Sequence, residues 1–228
     1  MKMSMDKGSL LKYVKRQLDF YLPDEYEIDT NVMDICISDA LHRCEKCFRH
    51  ILISGYRYNG EAAFSHLHMD QYATFLYFLA NSIWQEKGDK LLCDKLLNLN
   101  RILNGFFISY KCQMPDVFLF GHPVGSVIGN ADYSDGLVVN QNVTINTRTD
   151  EYGKPKLKIG RGCYLGLGAK IIGSEEIGER CSIGADVLIY NRRVETDSVC
   201  LRDETGKVVI RPRIGEKCKA ASIFDLEF

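Results

Sequence analysis

A strict six-residue spacing of aliphatic residues constrains the fold of this chain more than any other feature. Six consecutive positions keep this spacing: Ile159, Leu165, Ile171, Ile177, Ile183 and Ile189. A glycine directly follows four of them, at Gly160, Gly166, Gly178 and Gly184. Neither the 3.6-residue period of a helix nor the two-residue period of a strand explains this pattern. A short strand and a tight turn do, because the aliphatic residue points inward and glycine lets the backbone turn without a Cβ clash.

Stacked hexads of this kind predict a parallel β-helix, since three hexads complete one triangular coil. Compact residues recur four positions after most of the aliphatic ones, at Cys163, Ala169, Cys181 and Val187. Chance repetition in an ordinary glycine-rich β domain is the alternative, and six positions in register disfavour it. Val139, Val143 and Ile145 continue the inward pattern upstream. The fourteen residues from Ile145 to Ile159 are not a multiple of six, which predicts an extruded polar loop near 146–158.

The first half of the chain has helical spacing instead, with apolar residues three and four positions apart. It predicts at least four helices, the second beginning at an N-cap of Thr30 or Asn31 and the fourth stopping at Gly105. We expect the apolar residues of the second helix to lie near one face, namely Val32, Ile35, Ile37, Leu41, Cys44 and Phe48. The apolar run of residues 72–84 is too short to span a bilayer, which needs about 20 residues, so it predicts a buried helix.

These two patterns predict an α+β protein of two domains. Residues 1–110 form an α-helical domain, and residues 111–228 form a β-helix with the extruded loop and a C-terminal extension of open role. The net charge of −1 and the pI of about 6.5 disfavour a nucleic-acid binder or an anionic-membrane binder. Nine scattered cysteines without a recognisable secretory signal indicate a reducing, cytoplasmic location.

The stretch "FLFGHPVGSVIGN", residues 118–130, contains the one histidine found after Lys111. Pro123 follows His122, and this favours an extended backbone at the histidine. In isolation such a residue is more often structural. A neutral imidazole is nevertheless suited to remove the proton of an alcohol near neutral pH.

The hexad run resembles the left-handed β-helix of the hexapeptide-repeat acyltransferases. The helical half followed by that β-helix resembles the serine acetyltransferases and their relatives in surface-polysaccharide gene clusters. "HPVGSVIG", residues 122–129, is similar to the segment around the family's catalytic histidine, and "NQNVTIN", residues 140–146, is similar to the strand that follows it. The resemblance covers residues 111–191 well, whereas the helical half matches only in character.

This resemblance implies an acetyl-CoA-dependent O-acetyltransferase with His122 as general base and no metal. It also implies a homotrimer or higher homo-oligomer, in which the coenzyme runs along the turns of Gly166, Gly184 and Ala185. A carboxylate should hold the imidazole, but the family's usual aspartate position is occupied by Phe107. Asp116 is the nearest acidic candidate.

Two departures from the serine acetyltransferase pattern bear on the acceptor. Gly121 stands where the family has an aspartate before the histidine, and Gly153-Lys154-Pro155 stands where it has Arg-His-Pro. We also expect no acidic partner beside His122. We therefore predict a sugar or surface-polysaccharide hydroxyl as acceptor, bound by residues Asn140, Gln141, Asn142 and Lys154.

The same residues leave other functions open. Serine O-acetylation in cysteine biosynthesis is the first alternative, and a non-catalytic β-helix scaffold is the second. Cys44, Cys47 and His50 offer part of a zinc site, to which His66 or His68 would have to contribute, but a cysteine-containing core face is the more common arrangement. A carbonic-anhydrase-like β-helix would need several histidines in the repeats, and this half has one.

Overall fold

The computed structural model describes residues 1–147 and 149–228. Its helical half contains four α-helices: α1 (Lys7–Tyr21), α2 (Thr30–Phe48), α3 (Met69–Lys87) and α4 (Lys90–Asn104). Carboxylates cap three of them, since the side chains of Asp6, Asp29 and Asp89 accept amide hydrogens of the first turn of α1, α2 and α4. The predicted cap of α2 was therefore one or two residues late.

A glycine in the left-handed conformation ends α3 and α4. Gly88 and Gly105 have φ values of +63° and +65°, and each amide donates to a carbonyl of the preceding turn. The stop at Gly105 is thus confirmed. Helix α3 is buried along nearly its whole length, as the apolar run of residues 72–84 predicts. In the described part of the chain, no helix is long and apolar enough to cross a membrane.

One residue assigned to the buried face of α2 is misplaced. Ile35 is 59% exposed, whereas Met33 and Cys36 on either side are buried. A small sheet was also not predicted, because its strands are only two to four residues long. It consists of β1 (Lys2–Met3), β2 (Arg57–Tyr58) and β3 (Glu61–Phe64), in the order β1-β3-β2.

The second half is a three-faced prism of short parallel strands. The first face stacks β5 (Phe118–Phe120), β8 (Leu137–Val139), β11 (Tyr164–Leu165), β13 (Ser182–Ile183) and β15 (Ser198–Arg202). The second face stacks β4 (Phe107–Ile108), β6 (Val127–Ile128), β9 (Thr144–Thr147), β12 (Lys170–Gly173) and β14 (Leu188–Tyr190). The third pairs β7 (Asp132–Tyr133) with β10 (Lys158–Ile159) and continues through bridges at Ile177 and Val194. This arrangement confirms the helical half followed by a parallel β-helix.

The hexad series fills the interior of this prism. All six aliphatic residues of the series are at most 2% exposed. The four glycines that follow are required because successive coils approach closely. A Cβ at Gly178, for example, would lie 2.5 Å from the amide nitrogen of Thr196 in the next coil. Strand β4, which pairs with β6, begins four residues before the predicted boundary at 111, and the division into two domains stays a prediction.

The loop after β9 returns through a tight turn before β10. Thr149 bridges Pro155, and the Asp150 side chain accepts the amide hydrogen of Lys154 at 2.8 Å. Arg148, which belongs to the predicted loop 146–158, lies outside the described residues.

The C-terminal segment runs back from the β-helix to the helical half. Strand β16 (Val208–Pro212) pairs antiparallel with β15, and the chain then reaches the segment that follows α2, where Phe224 bridges Ile51. There Asp225 accepts hydrogen bonds from His50 and Arg57. The ring of Phe228 lies where a Cβ at Gly136 or Gly162 would be, and thus covers two turns of the prism.

Candidate active site

His122 lies on a bulge at one corner of the β-helix. Six residues, 121–126, connect β5 to β6, whereas four residues, 140–143, connect the paired strands β8 and β9 of the next coil. The two extra residues push the corner outward, and the His122 side chain is 84% exposed. The site therefore departs from the hexad pattern at the position where the histidine stands.

Pro123 predicts an extended backbone at His122, and this prediction is wrong. Its φ is +49°, in the left-handed region that few residues other than glycine adopt. Proline disfavours the right-handed helical conformation for the residue before it. The bulge nevertheless needs a sharp reversal here, in which the Val124 amide donates to the His122 carbonyl at 2.7 Å. Residues in such conformations cluster at functional sites.

Asp70, from the first turn of α3, is the carboxylate that holds His122. Its Oδ2 lies 3.2 Å from His122 Nδ1 and accepts the His122 backbone amide hydrogen at 3.1 Å. The Asp70 side chain is 9% exposed, so it reaches the histidine from the protein side. A carboxylate at this ion-pair distance favours the imidazole tautomer that carries its proton on Nδ1, and Nε2 is then the nitrogen available to act as a base.

Asp116 does not orient the histidine, and that prediction is wrong. Its carboxylate pairs with Lys46 of α2 at 2.7 Å on the surface. Asp116 lies just before strand β5, whereas Asp70 lies in the first turn of α3. Which of these two acids contacts His122 depends on how the helical half packs against the β-helix, and the sequence does not show this. The expectation that no acidic group adjoins His122 fails for the same reason.

Both halves of the molecule fix the corner that carries His122. The Gly125 amide donates to the carbonyl of Gly105 at 2.8 Å, which joins the corner to the end of α4. The buried Ser126 hydroxyl donates to the Asn140 carbonyl and accepts the Val143 amide hydrogen. On the helical side, the Gln71 amide donates to the Gly55 carbonyl and so anchors the start of α3 beside Asp70.

The residues predicted to contact the acceptor lie at two places. Asn140 stacks on the residue before His122, because a Cβ at Gly121 would lie 3.2 Å from Asn140 Oδ1. Its side-chain amide already donates to the Leu165 carbonyl at 2.7 Å. Gln141 and Asn142 continue this corner, and Asn142 is exposed. Lys154 is exposed in the turn after Asp150, and no described contact joins it to the His122 corner.

Two of the residues predicted to bind the coenzyme have a structural reason to be glycine. A Cβ at Gly166 would lie 2.9 Å from the Ile183 carbonyl oxygen of the next coil, and a Cβ at Gly184 would lie 2.9 Å from that of Cys200. The two glycine amides donate to the same carbonyls at 2.8 Å. Ala185 is exposed beside them. The amides of these two glycines thus serve the ladder between coils, and the exposed edge at Ala185 is the part of this turn that a ligand can reach.

The cysteine-rich segment of α2 is part of the core. Cys44 and Cys47 are fully buried, Cys47 donates to the Phe118 carbonyl, and His50 pairs with Asp225. All nine cysteines are free and buried. Within the described ranges, no three histidine, cysteine or acidic side chains are grouped so as to hold a metal ion.

Comparison with known proteins places this geometry in a known architecture. No protein-family model matches the chain. The crystal structure of Neisseria gonorrhoeae serine acetyltransferase superimposes with a TM-score of 0.68 at 18% identity, over 98% of this chain and 86% of that one. The chain has the fold of the serine acetyltransferases.

Curated sequences agree with this fold. Serine acetyltransferase of Mycobacterium tuberculosis is 30% identical over 119 residues, which is 52% of this chain and 52% of that protein. The Haemophilus influenzae serine acetyltransferase is 34% identical over 116 residues, which is 50% of this chain and 43% of that protein. The chain thus spans about half the length of the curated relatives it matches, and it resembles the serine acetyltransferase family among hexapeptide-repeat acyltransferases.

Proposed function

We propose that this protein is an acetyl-CoA-dependent O-acetyltransferase and that its acceptor is serine. The observation that carries the proposal is the His122–Asp70 pair, an exposed imidazole held by a buried carboxylate at a corner of a serine acetyltransferase fold. A non-catalytic scaffold does not need this pair or the strained backbone that presents it.

The reaction follows from the orientation of the imidazole. His122 Nε2 takes the proton of the acceptor hydroxyl as its oxygen attacks the thioester carbonyl. The tetrahedral intermediate collapses, the bond between carbon and sulfur breaks, and the imidazolium returns the proton to the thiolate of coenzyme A. Asp70 stabilises the imidazolium through Nδ1 during both steps. Asp70 acts here as a positioning residue, because it reaches the substrates only through His122.

Serine has better support as the acceptor than the sugar that the sequence suggested. The curated relatives described above are serine acetyltransferases. A missing acid beside His122 would count against serine, but Asp70 lies there. A sugar hydroxyl remains the second candidate because Gly121 stands where the serine acetyltransferase pattern has an aspartate.

The donor and the assembly belong to the same proposal. Acetyl-CoA runs along the edge at Ala185, beside the His122 corner of a neighbouring prism in a homotrimer or larger homo-oligomer. Exposed apolar side chains on the second face of the prism support self-association, since Val127, Leu188 and Tyr190 are 43%, 44% and 61% exposed. Sedimentation as a monomer at micromolar concentration would exclude a site shared between prisms.

The decisive experiment is a kinetic comparison of acceptors. Release of coenzyme A from acetyl-CoA is followed with L-serine and with a set of nucleotide sugars and oligosaccharides. We expect L-serine to have the highest kcat/KM. A sugar acceptor ahead by tenfold would establish the second candidate, and no turnover with any acceptor would support the scaffold alternative.

A further inference from the structure

The first turn of α3 carries Asp70 but lacks the side-chain cap of the other helices. Aspartates cap α1, α2 and α4, whereas the N-cap residue of α3 is His68, whose side chain makes no capping hydrogen bond among the described residues. Helix ends fray where neither a cap nor packing holds them. Because Asp70 is the second residue of this turn, the position of its carboxylate depends on another attachment.

Gln71, the third residue of α3, supplies that attachment. Its side chain is fully buried, and both ends of its amide are used. Nε2 donates to the Gly55 carbonyl at 2.9 Å, and Oε1 accepts the Ser65 amide hydrogen at 2.7 Å. In a capping box, a glutamine at this position reaches back to the amide of the N-cap residue. Here it reaches three residues further and ties the first turn of α3 to the two segments that flank the hairpin β2–β3.

The segment that contains Gly55 is itself held on both sides. The Leu52 amide donates to the Ile223 carbonyl of the C-terminal segment at 2.7 Å. The Ala63 amide of β3 donates to the Tyr56 carbonyl at 2.8 Å. Gln71 therefore joins α3 to a part of the chain that is already fixed.

The contact between Asp70 and His122 tolerates little movement of this turn. One carboxylate oxygen, Oδ2, makes both contacts, to His122 Nδ1 at 3.2 Å and to the His122 amide at 3.1 Å. A displacement of about 1 Å would move Oδ2 out of hydrogen-bonding range of the imidazole. A misplacement of about 1 Å in an active site can cost on the order of 100-fold in rate.

We propose that Gln71 is a positioning residue, which holds Asp70 at hydrogen-bonding distance from His122. This assignment rests on the proposed acetyl transfer and adds to it a buried residue that contacts neither the substrates nor the imidazole. Because a backbone carbonyl only accepts and a backbone amide only donates, the Gln71 amide has a single orientation between Gly55 and Ser65. The orientation of the first turn follows from it.

The first test compares two buried amides of the same helix. Gln71→Met keeps the length of the side chain and removes both hydrogen bonds. We expect it to lower kcat about tenfold and to leave the KM for acetyl-CoA within about twofold, with whichever acceptor the wild type turns over. Asn81→Leu is the matched control, because Asn81 is also buried and donates to the Tyr110 carbonyl at 2.7 Å. Its kcat should stay near the wild-type value, and an equal fall in both variants would overturn the proposal.

A double-mutant cycle with Asp70 separates positioning from general damage. In an Asp70→Ala background there is no carboxylate to position, so Gln71→Met should lower kcat little further. Asn81→Leu should have the same small effect in both backgrounds. Circular dichroism and the melting temperature establish that each variant is folded. Independent, additive losses from Gln71→Met and Asp70→Ala would show that Gln71 does not act through Asp70.

The His122 ring reports the same contact without turnover. Its proton NMR resonance, assigned by its absence from His122→Asn, should shift in Gln71→Met in the same direction as in Asp70→Ala and should stay in place in Asn81→Leu. These shifts in a wild type that turns over no acceptor would support the positioning of His122 and overturn the function. An unmoved resonance and a wild-type kcat in folded Gln71→Met would overturn the role of Gln71 and leave the function standing.

Discussion

The two halves of this molecule are stabilised in different ways, and the candidate site lies where they meet. In the β-helix, each coil repeats the contacts of the coil before it, and the interior residue is set by its position within the hexad. In the helical half, α3 is buried by contacts with residues distant in sequence. Phe78 of α3 and Phe118 of β5, for instance, have ring centroids 5.6 Å apart. The repeat makes the coils of the β-helix alike, and the candidate catalytic residue lies at the corner where a coil differs from the repeat.

That departure is a bulge in the β-helix that a residue of the helical half holds in place. His122 comes from two extra residues at a coil corner, and Asp70 comes from the first turn of α3. Neither half contains the pair alone. The comparison therefore predicts that changes at the junction affect activity most, and that changes within either half affect stability.

The largest expected effect is that of His122→Ala. Loss of the general base should lower kcat about 100-fold or more. The fold should remain intact because the side chain is 84% exposed. His122→Asn is a useful second variant, since asparagine tolerates a positive φ. Steady-state kinetics with acetyl-CoA measures the loss, and His42→Ala, at an exposed position of α2, is the control. More than about a tenth of the wild-type rate in both His122 variants would remove this residue from the mechanism.

Asp70→Asn should have the next largest effect, on the order of 10- to 100-fold in kcat, since an interaction with a charged group contributes about 1.5–3 kcal/mol. Asparagine keeps an oxygen for the His122 amide but loses the charge that stabilises the imidazolium. The KM for acetyl-CoA should change little, and this distinguishes positioning of the base from general damage. Asp116→Asn is the matched control, because its partner is Lys46 on the surface. Equal activities of Asp70→Asn and Asp116→Asn would show that Asp70 does not orient His122.

The sequence predicts the β-helix in more detail than the helical half, because the contacts of the β-helix repeat from coil to coil and those of the helical half join residues distant in sequence. The six aliphatic residues of the hexad series are all buried as expected, because their environment depends only on their position in the repeat. The four helices and the stop at Gly105 follow from local periodicity and from a glycine that adopts positive φ.

The site is predicted only in part. The motif around His122 points to the exposed histidine, but its partner lies 52 positions away on a helix and no local pattern connects them. Asp116 was preferred because it is close in sequence. The sequence indicates Asp70 only as an acidic residue in the first turn of a buried helix. This position does not predict the direction in which the carboxylate points.

Two glycine-to-alanine substitutions, one in each half, test whether the β-helix and the helical half respond differently to an added Cβ. In Gly178→Ala the new Cβ meets the Thr196 backbone at 2.5 Å, and the coils cannot separate locally. We expect a loss of about 1–3 kcal/mol in the free energy of unfolding. In Gly8→Ala of α1 the nearest atom is 3.4 Å away in the Asp6 side chain, which is an ordinary van der Waals contact, so this variant should gain up to about 1 kcal/mol. Urea denaturation followed by circular dichroism measures both, and equal effects would contradict the distinction.

The smallest effect concerns the C-terminal segment that joins the halves. Burial raises the pKa of Asp225, but hydrogen bonds from Arg57 and His50 outweigh it, and the pKa lies below its usual value. A lowered pKa means that the folded protein holds the carboxylate charged more strongly than the unfolded chain does. The resulting stability is fully present above the unfolded pKa of about 3.9 and is lost as the pH falls through the folded value.

Asp225→Asn should therefore destabilise the protein at pH 7, and the difference should shrink as the pH falls below about 3.9 and through the folded pKa. Because the Asp225 side chain is 42% exposed, solvent screens the pair and the loss should not exceed about 1 kcal/mol. Thermal unfolding of wild type and variant across this pH range measures the difference. Asp19→Asn, which removes a surface pair with Lys15 within α1, is the control. If the difference in stability between wild type and Asp225→Asn did not depend on pH, the charge of Asp225 would not stabilise the protein. The C-terminal segment would then be held by the packing of residues such as Phe224 and Phe228.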